Sequence, residues 1–291
     1  VETFLQQVVF GLANGGIYAA VALALVMTYL STNVVNFAQG EMAMFSTFVA
    51  WLLMEHGAPY WVAFFSTLAI AFVGGVAIER LILRPMERAP ILALTIVTIG
   101  LLTIFNSLAG WLFGYTVRPF PTPFPSSPTR LGGIIVSPHS LGILAVTLVV
   151  LAVLYVLFQH THFGLVMRAA ARYPVGSRLV GIRVGWMLAL GWGLASAVGA
   201  VAGMLVAPLL LLDPNMMGGI LIYAFASATL GGFTSPVGAV IGGFVVGVTE
   251  NLAGTYVRWI GADLKLTLAL AIIVLVLIFK PSGLFGRAQH P

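Results

Sequence analysis

The sequence predicts an all-α polytopic membrane protein with about eight transmembrane helices, one or two of them broken or halved. Three observations carry that prediction. Of 291 residues, 60% are apolar and only 7% charged, against about 45–50% and about 25% in soluble domains, so the chain has too few charges to clothe a surface in water. The mean hydropathy of +1.08 agrees. The apolar residues gather into charge-free runs near the roughly 20 residues that cross a bilayer as helix. The cations stand in short clusters between those runs, the pattern of positive cytoplasmic loops. The net charge of +5 therefore points to a membrane surface and not to nucleic acid.

The runs come in a clear order. Leu5–Leu30 is the first. It is too long for the apolar region of a signal peptide and has only Glu2 before it, so a retained helix is expected. Val34–Leu53 is apolar but interrupted at Gln39-Gly40-Glu41. Trp61–Ile78, Ile91–Phe113, Leu141–Phe158 and Trp186–Leu212 are continuous. Gly218–Leu252 is interrupted at Gly231-Gly232 and Thr234-Ser235-Pro236, and is long enough for two crossings or for one crossing and a half-helix. Leu266–Phe279 is last. The whole chain, 1–291, reads as one transmembrane domain.

Two loops set the orientation. Residues 79–88 hold Arg80, Arg84 and Arg88 against Glu79 and Glu87; residues 160–183 hold Arg168, Arg172, Arg178 and Arg183 and no acid. Two apolar runs separate them, so both lie on one side, the cytoplasmic one. Residues 115–140 are then outside; their prolines, from Pro119 to Pro138, favour a stiff, extended loop. Arg118 and Arg130 lie there against the rule. Lys280 and Arg287 place the tail inside, which requires two crossings within Gly218–Leu252 and an external N-terminal end. Ser126 and Ser177 are natural positions for single-cysteine reporters of this arrangement, because the chain has no cysteine of its own.

Small residues recur four apart at Gly11 and Gly15, Gly199 and Gly203, Gly238 and Gly242, and Gly243 and Gly247. In lipid this spacing lets helix backbones approach closely, and intramolecular packing is the expected use. The two interrupted regions each follow a long Gly/Ala-rich helix and begin near asparagine, Asn33 and Asn36 in one and Asn215 in the other. That is the pattern of a weak internal repeat, and transporters often place a binding site at such broken helices.

The catalytic signatures of nucleotide hydrolases, zinc peptidases and serine hydrolases are absent. His160 and His162, two apart, do not share a helical face, so no metal site is expected. Absence of cysteine excludes disulfides and thiolate ligands. Any energy for transport must come from an ion gradient or another protein. Acidic groups in apolar surroundings are costly and so mark function. Asp213 and Glu250 read as interfacial, solvated or capping groups. Glu41, crowded by Asn33, Asn36 and Gln39, reads equally as a break lining a cavity, where irregular backbone is tolerated at depth. Asn14 and Asn106 add polar groups to apolar helices. Asn14, Asn36, Glu41 and Asn106 are the candidates for a translocation path.

Residues 160–183 are the most specific segment. Phe163-Gly164, Arg168-Ala169, Pro174 and Arg178-Leu179-Val180-Gly181-Ile182 resemble the cytoplasmic loop of branched-chain amino acid permeases of the LivH type. Asn36-Phe37-Ala38-Gln39-Gly40-Glu41 is similar to that family's N-F-A-x-G-E segment. Glu79-Arg80 with Arg84-Pro85 resembles its E-R-x-x-x-R-P loop, and Leu230-Gly231-Gly232 with Gly238-Ala239 its L-G-G…G-A stretch. The matches are collinear over nearly the whole chain. Tyr173, where an acid is common, and Gly176-Ser177, in place of a helix-favouring pair, depart from the pattern.

The resemblance implies the permease subunit of an ATP-binding-cassette importer for branched-chain or related neutral amino acids, in a bacterial-type cytoplasmic (inner) membrane. It implies a LivM-type permease partner, two cytoplasmic ATPase subunits that bind ATP and magnesium, an external solute-binding protein, and alternating access. This chain would do no covalent chemistry and carry no cofactor. The coupling segment would comprise Arg168, Ala169, Ala170, Arg172, Pro174, Arg178, Leu179, Gly181 and Ile182. Pro174 suits the first turn of a short helix, Leu179 and Ile182 would form its apolar face, and Gly181 would turn the chain away at positive φ. The competing reading is an ion-gradient-driven transporter or channel for a small polar solute such as urea or a short amide, with Glu41 or Glu250 as coupling carboxylate.

Overall fold

The computed structural model describes residues 2–125, 127, 129–131, 134–257, 260–261 and 264–286. Its helices are α1 (Glu2–Thr32), α2 (Gln39–Glu55), α3 (Tyr60–Ile78), α4 (Ile91–Phe113), α5 (Pro138–His160), α6 (His162–Arg172), α7 (Pro174–Leu179), α8 (Val184–Leu210), α9 (Met217–Gly231), α10 (Pro236–Tyr256) and α11 (Lys265–Phe279). A π turn, Glu79–Leu83, and a 3-10 turn, Arg84–Met86, carry α3 onward. A small hairpin, β1 (Thr129–Leu131) with β2 (Ile134–Val136), interrupts the loop between α4 and α5. Ser126 and Arg287 lie outside the described residues, as do the side chains of Arg130 and Arg172.

Among the described residues, six helices are long and apolar enough to cross a membrane: α1, α3 with its extension to Met86, α4, α5, α8 and α10. The apolar helices α9 and α11 are shorter, of 15 residues each, and α2 has 17. The most apolar stretches of α1 and α8 are each 72% buried, against 17–33% for α3, α4 and α5. So α1 and α8 form the centre, and the others present apolar faces outward, as helices in lipid do.

The interruption at Gly231-Gly232 falls where the sequence places it. Gly232 takes φ +102, Ser235 caps α10 by accepting a hydrogen bond from the Gly238 amide at 3.0 Å, and Pro236 occupies the first turn. The first interruption is shifted. Gln39-Gly40-Glu41 is not a break but the opening turn of α2, and the irregular segment is residues 33–38. Asn33 ends α1 in the left-handed region at φ 54, and Asn36 Oδ1 accepts from the Ala38 amide at 3.1 Å in a local turn. Asparagine, not glycine, breaks the chain here, because its side chain replaces the lost backbone partners.

The internal repeat is inverted. α1–α4 and α8–α11 run through the same series: a long central helix, an irregular segment, a short helix and two further helices. Both central helices end in a non-glycine residue at positive φ, Asn33 and Leu211. α1 packs antiparallel on α10, and α8 packs antiparallel on α3. The short helices exchange partners in the same way, α2 lying on α8 and α9 on α1. They meet where a Cβ on Gly40 would touch Met217 and Leu221 at 3.4 Å.

The four-spaced glycines make these contacts. A Cβ on Gly247 would stand 2.4 Å from the Gly15 backbone, and one on Gly203 would stand 2.8 Å from the Ala43 carbonyl. Bare backbones therefore touch between α1 and α10 and between α2 and α8.

The arginine loops share one end of the bundle: Arg84 lies against Gly185 and Arg80 stacks on Trp186 at the start of α8. The proline loop is at the other end, pairing with the segment after α8 through Arg118 and Leu212. Ser177 is buried, at 4% exposure, and would report poorly; Leu179 is 84% exposed and is the better position. In intact cells a membrane-impermeant thiol reagent should label Ser127→Cys and leave Leu179→Cys unlabelled until the membrane is opened. The reverse pattern would overturn the orientation.

Candidate functional site

The opening turn of α2 places Glu41 deep in the bundle, at 7% exposure. The helix's free amides favour an acid in that turn. The turn is fastened from behind: Asn36 Nδ2 donates to Gln39 Oε1 at 3.1 Å, and Gln39 Nε2 donates to the Ala195 carbonyl of α8 at 3.1 Å. From α4, Asn106 Nδ2 faces three acceptors: the Pro214 carbonyl at 2.9 Å, Asn215 Oδ1 at 3.3 Å and Glu41 Oε2 at 3.4 Å. An amide nitrogen has two hydrogens, so the three bonds compete, and the Pro214 bond is the shortest. Beside them Phe45 and Phe105 meet edge-on at 5.5 Å. The result is a junction of carboxylate, amides and aromatic faces where α2, α4 and residues 211–216 converge.

Of the four path candidates, Glu41 and Asn106 are brought together, and Asn36 supports them through Gln39. Asn14 lies apart, on α1 beside the Gly15–Phe244 contact with α10. Pro214 and Asn215 enter the site from the segment after α8; the sequence marks Asn215 at the start of the second interrupted region but does not pair it with Asn106. Asp213 caps neither α8 nor α9; its Oδ1 accepts from the Asn215 amide at 2.7 Å in a local turn between them.

Arg118 secures the same segment from outside. Its backbone exchanges two 2.9 Å hydrogen bonds with Leu212, its guanidinium stacks 4.2 Å over Trp51 of α2, and it donates to the Phe113 carbonyl. This arginine is a structural clamp, which accounts for its place on the side poor in cations.

Glu250 is not solvated. It is 6% exposed and accepts from Tyr18 at 2.7 Å; Tyr223 stacks on Tyr18 with ring centroids 4.7 Å apart, and Lys265 Nζ stands 3.9 Å away. The group ties α1, α9, α10 and α11 together. Tyr18 and Glu250 are 232 residues apart, so no local pattern could have assembled it. Among the described residues, no three of His, Asp or Glu gather closely enough to hold a metal ion.

At the basic end, Thr161 caps α6 and Pro174 starts α7. Ala170 and Met167 turn inward and are buried. Gly181 takes φ +83 and ends the turn. Ile182 does not share an outward face with Leu179; it lines the groove between α6 and α8 with Trp186. The outward apolar face is instead Tyr173, Val175, Leu179 and Val180, each 71–84% exposed. Four such side chains on one short loop at the arginine end form a patch that water does not favour.

A family model described as branched-chain amino acid transport system / permease component matches residues 7–278. The chain is 28% identical over 302 residues to the high-affinity branched-chain amino acid transport system permease protein BraD of Pseudomonas aeruginosa, covering 98% of this chain and 97% of that one. It is likewise 28% identical over 309 residues to the corresponding LivH of Salmonella typhimurium, covering 98% and 96%. To the probable LivH of Methanocaldococcus jannaschii it is 28% identical over 285 residues, covering 91% and 87%. Among solved structures, PsaBC from Streptococcus pneumoniae in complex with Fab is similar in fold, with a TM-score of 0.51 at 14% identity over 96% of this chain and 92% of that one.

Proposed function

The chain belongs to the branched-chain amino acid transport system permease family, and from that premise we propose that it is one permease half of an ATP-driven importer for branched-chain or related neutral amino acids. It is a multi-pass membrane protein; the bacterial cytoplasmic membrane is its proposed site. A LivM-type permease completes the pore, two ATPase subunits bind ATP and magnesium and dock at the arginine end, and a solute-binding protein delivers substrate at the proline-loop end.

One observation carries the proposal: the exposed apolar face of α7 and its turn, Tyr173, Val175, Leu179 and Val180, at the basic end of a bundle otherwise built for lipid. A loop outside the membrane gains by covering such a face with protein. The polar junction supports the substrate class. Glu41 offers a carboxylate to an ammonium group, Asn106 and Asn215 offer amides to a carboxylate, and Phe45 and Phe105 offer an apolar wall to a branched side chain. In the proposed cycle the inverted repeats rock about the contact of α2 with α9, opening the junction to each side in turn.

The test is reconstitution in vesicles with the paired permease, ATPases and binding protein. The expected result is leucine uptake that requires ATP and the binding protein. Uptake driven by a pH gradient through a complex unable to hydrolyse ATP would overturn the proposal in favour of secondary transport.

A further inference from the structure

We propose that the arginine end of the bundle holds an acidic phospholipid, its phosphate in a basic cleft and an acyl chain in the apolar groove that adjoins it. The cleft, of about 490 Å³, lies between the Glu79–Met86 turns and the start of α8 and is lined by Arg80, Arg84, Arg178 and Arg183, with Glu87. The groove, of about 530 Å³, runs between α6 and α8 along Val166, Met187 and Leu190. The two share Ile182, Arg183 and Trp186, so they form one continuous site, polar at one end and apolar at the other.

The charge is unbalanced. Among the described residues none of these four arginines has a carboxylate oxygen within 4.0 Å. Arg80 Nε and Nη2 and Arg84 Nη1 are buried without an acceptor. Arg80 lies 3.7 Å over the Trp186 ring, which holds its guanidinium in place but supplies no anion. Guanidinium groups with free donors select phosphate and carboxylate oxygens. The groove then decides between sources of that anion. A free phosphate would fill the cleft and leave the groove empty, and so would an acidic side chain from a docked ATPase. A phospholipid fills both. Leu81, 76% exposed next to Arg80, puts the site at the lipid boundary, where basic clusters attract acidic headgroups. The site does not depend on the direction or energy source of transport.

The test uses the full chain in mild detergent, titrated with dioleoylphosphatidylglycerol, dioleoylphosphatidylcholine and inorganic phosphate, with bound lipid read by native mass spectrometry. The glycerol lipid should bind at least about tenfold more tightly than the choline lipid, and phosphate should not compete at matched concentration. Arg178→Gln with Arg183→Gln, both exposed positions, should weaken binding by about tenfold or more, whereas Arg88→Gln, outside the cleft, should not. Leu190→Trp, which fills the groove and leaves every charge, should also weaken it. Equal affinity for the two lipids, competition by phosphate, unchanged binding by the double variant or by Leu190→Trp, or expulsion of the lipid when ATPases bind would each overturn the proposal.

Discussion

Gly181→Trp is expected to yield a normally inserted permease that no longer co-purifies with ATPase subunits, with coupled uptake reduced by about a hundredfold. Gly181 sits at φ +83, and a Cβ there would meet nothing within 4 Å. The substitution therefore does not collide with the bundle; its intrinsic cost is the left-handed backbone, roughly 1–2 kcal/mol. The indole would instead project beside Leu179 and Val180, in the middle of the exposed apolar face. Gly57→Trp is the matched control, since Gly57 has φ +90 and equally open surroundings at the opposite end; it should keep ATPase binding. Leu179→Asp should reproduce the loss without backbone strain. Normal co-purification and transport by Gly181→Trp would show that this loop is not the coupling element.

Glu41→Gln should leave insertion and complex assembly intact while uptake falls roughly tenfold to a hundredfold. That range corresponds to about 1.5–3 kcal/mol for one charge-assisted hydrogen bond. The amide keeps the shape of the carboxylate and can still accept from Asn106, 3.4 Å away, so a structural role alone predicts little change. Wild-type uptake by Glu41→Gln would remove Glu41 from the path. Asn106→Ala makes the complementary change: it frees the Pro214 carbonyl from its 2.9 Å bond and should loosen residues 211–216.

The architecture is largely legible in the sequence. Charge-free runs located the spanning helices, because hydrocarbon tolerates few charges. Spaced glycines marked the backbone contacts, since only small residues allow that approach. The second break at Gly231-Gly232 was legible because glycine, serine and proline end and restart helices by local geometry. The first break was displaced from the glycine at Gly40, which packs inside α2, to Asn33–Ala38, where side-chain amides take over backbone bonding. Glycine marks both helix ends and helix contacts, and only its neighbours in space separate the two uses.

Composition and the order of residues were sufficient for a polytopic α-helical membrane protein, its family resemblance, and the grouping of the arginines of residues 79–88 and 160–183 at one end, because each rests on local chemistry read along the chain. The site was decided by tertiary structure. Helices that are apolar all round carry no amphipathic stripe to say which face turns inward. The partners of the buried polar groups are remote, with Glu41 meeting Asn106 across 65 residues and Tyr18 meeting Glu250 across 232. Ile182 and Leu179, one helical turn apart in expectation, point to different surroundings because the positive φ of Gly181 turns the chain between them. A buried carboxylate or amide takes its function from the groups that surround it, and folding alone brings those groups together.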